Sequence, residues 1–176
     1  MNKKAVFLDR DGTLIEDADY IADPADVRII PGVAEVLREL RRNGYLLVII
    51  SNQSGIGRGI FTVDTMRLIN EKMYELFRNA NVEFLDFFYC PHSPQEQCNC
   101  RKPSPELLLT AAEQYGISLA DSVMIGDKVS DAECGIAAGC HLNIFLDVGK
   151  QPAPRDKAGI TVLTSMTEAG KLILHS

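Results

Sequence analysis

Short apolar runs alternate with amphipathic stretches along the whole chain. Ala5-Val6-Phe7-Leu8 is a run of four apolar residues with polar neighbours, the pattern of a strand buried on both faces. Tyr45-Leu46-Leu47-Val48-Ile49-Ile50 repeats it and gives way to Ser51-Asn52. Residues 84–89, 122–125 and 141–146 predict a third, fourth and fifth strand, and Thr161-Val162-Leu163 a weaker sixth. Between these runs the period changes. Pro31 and Gly44 bracket Val33, Val36, Leu37 and Leu40, a helical stripe with start and stop signals. Thr62 can cap a helix running to about Ala80, with Met66, Ile69, Met73, Leu76 and Phe77 inward. Ser104-Pro105 opens a further helix that Gly116 closes, and residues 132–138 form a short one stopped by Gly139. The stretch 149–159, with two prolines and mixed charge, reads as a surface connection. Strands alternating with helices predict an α/β fold, a doubly wound parallel sheet in one domain over residues 1–176.

Composition adds limits. A length of 176 residues with 46% hydrophobic content suits one core of ordinary globular kind. The longest apolar run, 45–50, is far too short to span a bilayer. The apolar run after Lys3 and Lys4 stops at Asp9, which is not a signal-peptide pattern, so a cytoplasmic address is expected. A net charge of −6 argues against nucleic-acid or membrane partners. A phosphorylated substrate would then need local positive charge, for which Arg58, Arg101, Lys102 and Lys128 are the candidates.

The polar clusters fall where the predicted strands end. Asp9-Arg10-Asp11-Gly12-Thr13 ends the first, Ser51-Asn52-Gln53-Ser54 the second, Cys90-Pro91-His92 the third and Gly126-Asp127-Lys128 the fourth. In a parallel sheet all four converge on the edge where open α/β sheets bind ligands. An aspartate there can attack phosphorus and form an aspartyl-phosphate. A second carboxylate two residues on can give a proton to the leaving oxygen and take one from water. Mg²⁺ suits such a pair, since it takes one or two carboxylates and fills its shell with phosphate and water. The plainer alternative is a solvated Asp/Gly turn. Ser51 followed by Asn52-Gln53-Ser54-Gly55-Ile56-Gly57-Arg58-Gly59 offers hydroxyl, amide and backbone donors to phosphate, although it also reads as an ordinary strand-to-helix loop. Arg101-Lys102-Pro103 puts two cations before a helix, and Asp127 could complete a metal site; Ser130 or Asp131 could cap the helix that follows.

Cys90, His92, Cys98 and Cys100 supply three thiols and an imidazole within eleven residues, the N/S donor set of tetrahedral Zn²⁺. The one-residue gaps are tighter than zinc-finger spacing, so a zinc-stapled loop over about 88–101 is expected. Four protein ligands leave no open position, which makes the metal structural. A disulfide competes, but five cysteines leave one unpaired. Cys134 and Cys140 read as packing residues.

Taken together, DRDGT, SNQSGIGRG, CPH…CNCRKP and GDKVSD resemble the haloacid dehalogenase superfamily of Mg²⁺-dependent phosphotransferases over nearly the whole chain. The closest likeness is to a branch without a large cap domain that holds heptose-bisphosphate phosphatases and histidinol-phosphate phosphatases. The resemblance implies Asp9 as nucleophile, Asp11 as acid/base, and Ser51 and Lys102 holding the transferring phosphoryl group. It implies Mg²⁺ on Asp9, Asp127 and the backbone carbonyl of Asp11, and structural Zn²⁺ on Cys90, His92, Cys98 and Cys100. It implies substrate contacts from Asp17, Ala18, Asp19, Tyr20, Asn52, Gln53, Ser54, Arg101 and Lys128. SNQSGIGRG followed by Phe61-Thr62 is similar to the heptose group, which implies removal of one phosphate of a sugar bisphosphate in nucleotide-activated heptose synthesis for surface glycans such as lipopolysaccharide. Leu14-Ile15 departs from that group's pattern, and histidinol phosphate is the alternative substrate. A non-catalytic zinc-bearing interaction module is the rival of a different class, opposed by the intact Asp9, Asp11, Lys102 and Asp127. A monomer acting on a small phosphorylated molecule is expected.

Overall fold

The computed structural model describes residues 3–17 and 20–175. Six strands form one sheet: β1 (Lys4–Leu8), β2 (Tyr45–Asn52), β3 (Asp86–Cys90), β4 (Val123–Gly126), β5 (Leu142–Leu146) and β6 (Thr161–Leu163). Every pairing is parallel, and the order across the sheet is β3-β2-β1-β4-β5-β6. The sequence leaves β1 to build outwards in one direction and returns to its other side with β4. The ends of β1 and β4 therefore flank the point where the strand order reverses, the crevice that such sheets use for ligands.

Six helices connect and cover the strands: α1 (Val33–Arg42), α2 (Ser54–Gly57), α3 (Val63–Asn79), α4 (Glu106–Tyr115), α5 (Val129–Ala138) and α6 (Met166–His175). The strand side chains alternate between two cores, as a period of two requires. Val6, Leu8, Leu47, Ile49, Val123, Ile125 and Ile144 pack with the inner faces of α1, α3 and α6. Ala5, Phe7, Val48, Ile50 and Met124 pack on the other face against Leu108 and Ala111 of α4 and Cys134 and Ala138 of α5. This double coverage explains why the strands read as unbroken apolar runs. Met66 and Met73 of α3 are buried, and Thr62 caps that helix by accepting from the Thr65 N–H at 3.1 Å.

Several boundaries differ from the sequence expectation. β3 begins at Asp86 rather than Phe84, because Phe84 turns into the aromatic cluster with Phe77, edge to face at 5.0 Å, instead of pairing. β5 begins at Leu142, one residue late. α5 begins at Val129, three residues earlier than predicted, since its first turn is polar and faces the site rather than the core. Of the two expected caps Asp131 is the one found: from inside the helix it reaches back to accept from the Lys128 N–H at 2.9 Å, and Ser130 takes no part in that bond. The loop after β2 opens with the single helical turn α2.

Helix α6 was not predicted. Met166, Ala169, Gly170 and Ile173 have helical spacing and are all buried, but a glycine in mid-helix lowers helix propensity and hides the pattern. The packing explains that glycine: a Cβ at Gly170 would lie 2.5 Å from Val36 Cγ1 on α1. Gly170→Ala should cost about 1 kcal/mol net, overpacking of about 1–3 kcal/mol outweighing the gain in helix propensity. In a Val36→Ala background the same substitution should instead stabilise, and urea denaturation of the four proteins measures both signs.

Candidate active site

Burial of polar groups is concentrated at the β1–β4 crevice. Asp9 follows β1 directly, its N–H donates to the Ile125 carbonyl at 2.9 Å, and its side chain is buried. A buried carboxylate needs a partner, and Lys102 supplies it: Nζ lies 2.7 Å from Asp9 Oδ1 and 2.7 Å from Asp131 Oδ1, and donates to the Ile50 carbonyl at 2.6 Å. Lys102 holds the Asp9 pKa below the ordinary aspartate value against the opposing effect of burial. The two carboxylates in turn raise the lysine's. Lys102 stays charged, and Asp9 is available as an anion. Lys128 is half-exposed and adds a second cation, 3.8 Å from Asp9 Oδ2 and 3.5 Å from Asp127 Oδ1.

Asp127 ends β4. Gly12, after β1, makes its close approach possible: at φ +84 a Cβ on that residue would fall 2.2 Å from Asp127 Oδ2. Carboxylate oxygens of Asp9, Asp127 and Asp131 all lie within 4.8 Å of one another. Burial and the charge of Asp9 push the Asp127 carboxyl up to about 7. Three buried carboxylates so close are a donor set for a hard divalent cation, which would relieve the repulsion. The expected Mg²⁺ ligands Asp9 and Asp127 are thus together, with Asp131 as a third carboxylate that the sequence reading had placed in a capping role. Asp131 does both, since one oxygen caps α5 and the other faces Lys102.

The Asp11 side chain is outside this carboxylate group. It is held by Arg10, whose Nε and Nη2 reach it at 3.1 and 3.0 Å, and by Gln53 Nε2 at 2.9 Å. Gln53 Nε2 also donates to Ser51 Oγ at 2.7 Å, which places the hydroxyl of the buried Ser51. The Asn52 side chain braces the chain at Lys102, accepting from its N–H at 3.0 Å and donating to its carbonyl at 3.2 Å. These residues open onto a cleft of about 370 Å³ lined by Asp9, Asp11, Asp17, Tyr20, Gln53, Ser54, Arg101, Lys102 and Lys128, with Phe61 and Ile21 on its apolar side. The Tyr20 and Phe61 rings lie 6.2 Å apart, tilted at 54° to each other. Ala18 and Asp19, two of the expected substrate contacts, lie outside the described residues. Arg58 is exposed and is not among the described lining residues, so the glycine-rich loop brings Ser54 rather than its arginine to the cleft. Arg10 and Asn70 carry no site signal in the sequence: their mutual bond spans 60 positions, and the other distant partner of Arg10, Gln53, is 43 positions away.

Cys90 ends β3, and the loop after it folds Cys98, Cys100 and His92 onto it. Cys90 Sγ lies 3.5 Å from His92 Nδ1 and 3.6 Å from Cys98 Sγ, and His92 Nδ1 lies 3.3 Å from Cys100 Sγ. Bond lengths to tetrahedral zinc require N···S and S···S edges of about 3.5 and 3.8 Å, so the four atoms fit that ion. All five cysteines are free, the Cys90 and Cys98 sulfurs being separated by more than a disulfide bond length. Cys134 and Cys140 are buried in and beside α5, as packing residues. Backbone groups carry the loop's geometry into the cleft. The Cys90 carbonyl accepts from the Gln53 N–H at 2.8 Å and the Pro91 carbonyl from the Gly57 N–H at 2.8 Å. The Arg101 guanidinium meets the His92 carbonyl at 3.4 Å.

Residues 16–139 match the family of haloacid dehalogenase-like hydrolases. The chain belongs to that family. It is 38% identical over 178 residues to the D-glycero-beta-D-manno-heptose-1,7-bisphosphate 7-phosphatase of Haemophilus influenzae, covering 97% of this chain and 96% of the relative. With the enzyme of the same name from Vibrio cholerae it shares 41% over 170 residues, 93% of this chain and 91% of that one. A crystal structure of D,D-heptose 1,7-bisphosphate phosphatase from B. bronchiseptica, complexed with magnesium and phosphate, superposes with a TM-score of 0.87 at 27% identity over 98% of both chains.

Two outcomes follow from the geometry. Below about pH 7 the metal must displace a proton from Asp127, so Mg²⁺ affinity should fall about tenfold per pH unit there and level off above it. Titration calorimetry at several pH values reads this, and Asp127→Asn should abolish the binding. Separately, purified protein should carry about one zinc per chain, and its chelation should lower the melting temperature. Activity lost on chelation should return with zinc plus magnesium but not with magnesium alone.

Proposed function

We propose that this protein is a Mg²⁺-dependent phosphatase that removes the 7-phosphate of D-glycero-β-D-manno-heptose 1,7-bisphosphate through an aspartyl-phosphate on Asp9. The observation that carries the reading is the buried Asp9–Lys102 pair, set beside Asp127 and Asp131 at the strand-order reversal. Relatives of nearly equal length that bear this name support the substrate. In the first step an Asp9 oxygen attacks phosphorus in line, and the P–O bond to the sugar breaks. Asp11 donates its proton to the departing alkoxide, which leaves as the alcohol. In the second step water attacks the aspartyl-phosphate, Asp11 takes its proton, and phosphate leaves with Asp9 restored. Lys102 and Ser51 hold phosphoryl oxygens, and Asn52 and Gln53 keep those two groups in place. Bound Mg²⁺ on Asp9, Asp127 and the Asp11 carbonyl would neutralise charge on the transferring group. Cys90, His92, Cys98 and Cys100 would hold Zn²⁺, which would fix the loop that presents Arg101.

The second phosphate of the substrate needs cations at the cleft, and Arg101 and Lys128 line it in a chain of net charge −6. Asp17, Tyr20 and Ser54, which line the cleft, contact the sugar. With all its cysteines unpaired, we place the enzyme in the reducing cytoplasm, as a monomer with one catalytic domain.

The test compares substrates. The kcat/KM for the heptose bisphosphate should exceed that for histidinol phosphate by at least about 10²-fold, a difference of roughly 2.7 kcal/mol. Equal or reversed values would reassign the substrate. Asp9→Asn should lower turnover of both by at least about 10³-fold with the fold intact. Near-normal turnover by that variant would end the covalent mechanism.

A further inference from the structure

Arg10 stands between the two catalytic aspartates in the sequence, and its side chain is 3% exposed. A charged side chain so deeply buried requires a full set of partners, and Arg10 has them. Nε and Nη2 form a fork on the Asp11 carboxylate, at 3.1 Å to Oδ1 and 3.0 Å to Oδ2. Nη2 also donates to Gln53 Oε1 at 3.1 Å, and Nη1 donates to Asn70 Oδ1 at 2.9 Å. Asn70 is itself buried, on the inner face of α3. Gln53 closes the circuit, since its Nε2 donates to Asp11 Oδ2 and to Ser51 Oγ. The guanidinium plane thus fixes three side chains from three parts of the chain, and only Asp11 among them carries proton chemistry in the reaction.

We propose that Arg10, anchored on α3 through Asn70, is the positioning residue that sets the orientation of the Asp11 carboxyl for proton delivery to the leaving oxygen. The proposal rests on the reading of Asp11 as general acid. A lysine cannot replace the fork: one ammonium can neither grip both oxygens of a carboxylate in plane nor span Asn70 and Gln53 simultaneously. Arg10 does not touch substrate in this scheme. Its contact with Gln53, which places Ser51, predicts a smaller loss common to both kinds of ester, and the loss through Asp11 adds to it only where a proton must be delivered.

Leaving-group dependence separates this role from general support of the fold. A sugar phosphate expels an alkoxide, which requires a proton as the P–O bond breaks; 4-nitrophenyl phosphate expels a stabilised phenolate, which does not. The ratio of kcat/KM for the two esters reports on that first step alone, since it includes nothing after the leaving group departs. Three single variants, Arg10→Lys, Asn70→Leu and Asp11→Asn, and the double variant Arg10→Lys/Asp11→Asn would be assayed on both esters with saturating Mg²⁺. Arg10→Lys should lower kcat/KM for the sugar phosphate by about 10²-fold and for the aryl ester by less than about tenfold. Asn70→Leu should show the same selectivity at smaller amplitude, and it provides the reading if Arg10→Lys does not fold. The double variant should be slower on the sugar phosphate than Asp11→Asn by no more than the loss that Arg10→Lys shows on the aryl ester, because the selective part of both changes removes one function.

Equal losses on both esters in Arg10→Lys and Asn70→Leu, alongside a selective loss in Asp11→Asn, would overturn the proposal and leave the acid role of Asp11 standing. An unselective loss in Asp11→Asn would overturn the acid role first, and the positioning role with it.

Discussion

The ammonium of Lys102 sits where the ends of β1, β2 and α5 meet, shared by Asp9, Asp131 and the Ile50 carbonyl. Two buried carboxylates would repel each other and the core without it. With it, Asp9 stays anionic at the end of an apolar sheet, as its proposed role of nucleophile requires. The arrangement is costly to disturb in one direction only. Removing one member of a buried ion pair leaves the other uncompensated, at about 3–5 kcal/mol. The position of Lys102 in turn depends on its loop, so Asn52 grips that residue's backbone from both sides and the Cys/His group fixes the segment just before it. Phosphoryl chemistry, loop geometry and metal-binding side chains therefore bear on one nitrogen atom.

The acidic chain handles an anionic substrate by local arrangement. Six of its negative charges are in excess overall, yet Arg101, Lys102 and Lys128 all line one cleft. Lys102 is consumed internally by its carboxylates, and Lys128 is half-committed to Asp9 and Asp127 while remaining half-exposed. The cations thus have graded availability: one fixed in the interior, one at the rim, and Arg101 turned towards the loop carbonyl of His92.

Much of this was legible in the sequence because the relevant patterns are local. Parallel strands buried on both faces leave continuous apolar runs, and the residue after each run is at the ligand edge by geometry. That reasoning located Asp9, Ser51, Cys90 and Asp127 correctly at one edge. The tight spacing of Cys90, His92, Cys98 and Cys100 was likewise readable, since all four are on one loop. What was not legible depends on distant contacts. Asn70 is one polar residue on an otherwise ordinary amphipathic helix, and nothing near it in sequence points to Arg10. Arg58 looked like a phosphate ligand by composition, and only the turn of α2 decides that it faces away. Helix α6 was hidden by Gly170, whose reason lies in the methyl groups of Val36 across a helix interface.

The strand order has a temporal consequence. Asp9 and Asp127 are neighbours only because β1 pairs with β4, and two-thirds of the chain lies between them. A chain emerging from the ribosome holds Asp9, the proposed nucleophile, almost at once, but the carboxylate cluster does not exist until β4 has been made and has closed that long loop. Pairings of this separation are entropically late events. The first half of the molecule, with β1, β2 and α3 in place, is a scaffold carrying a bare carboxylate. Catalytic competence therefore arrives in one step near the end of folding.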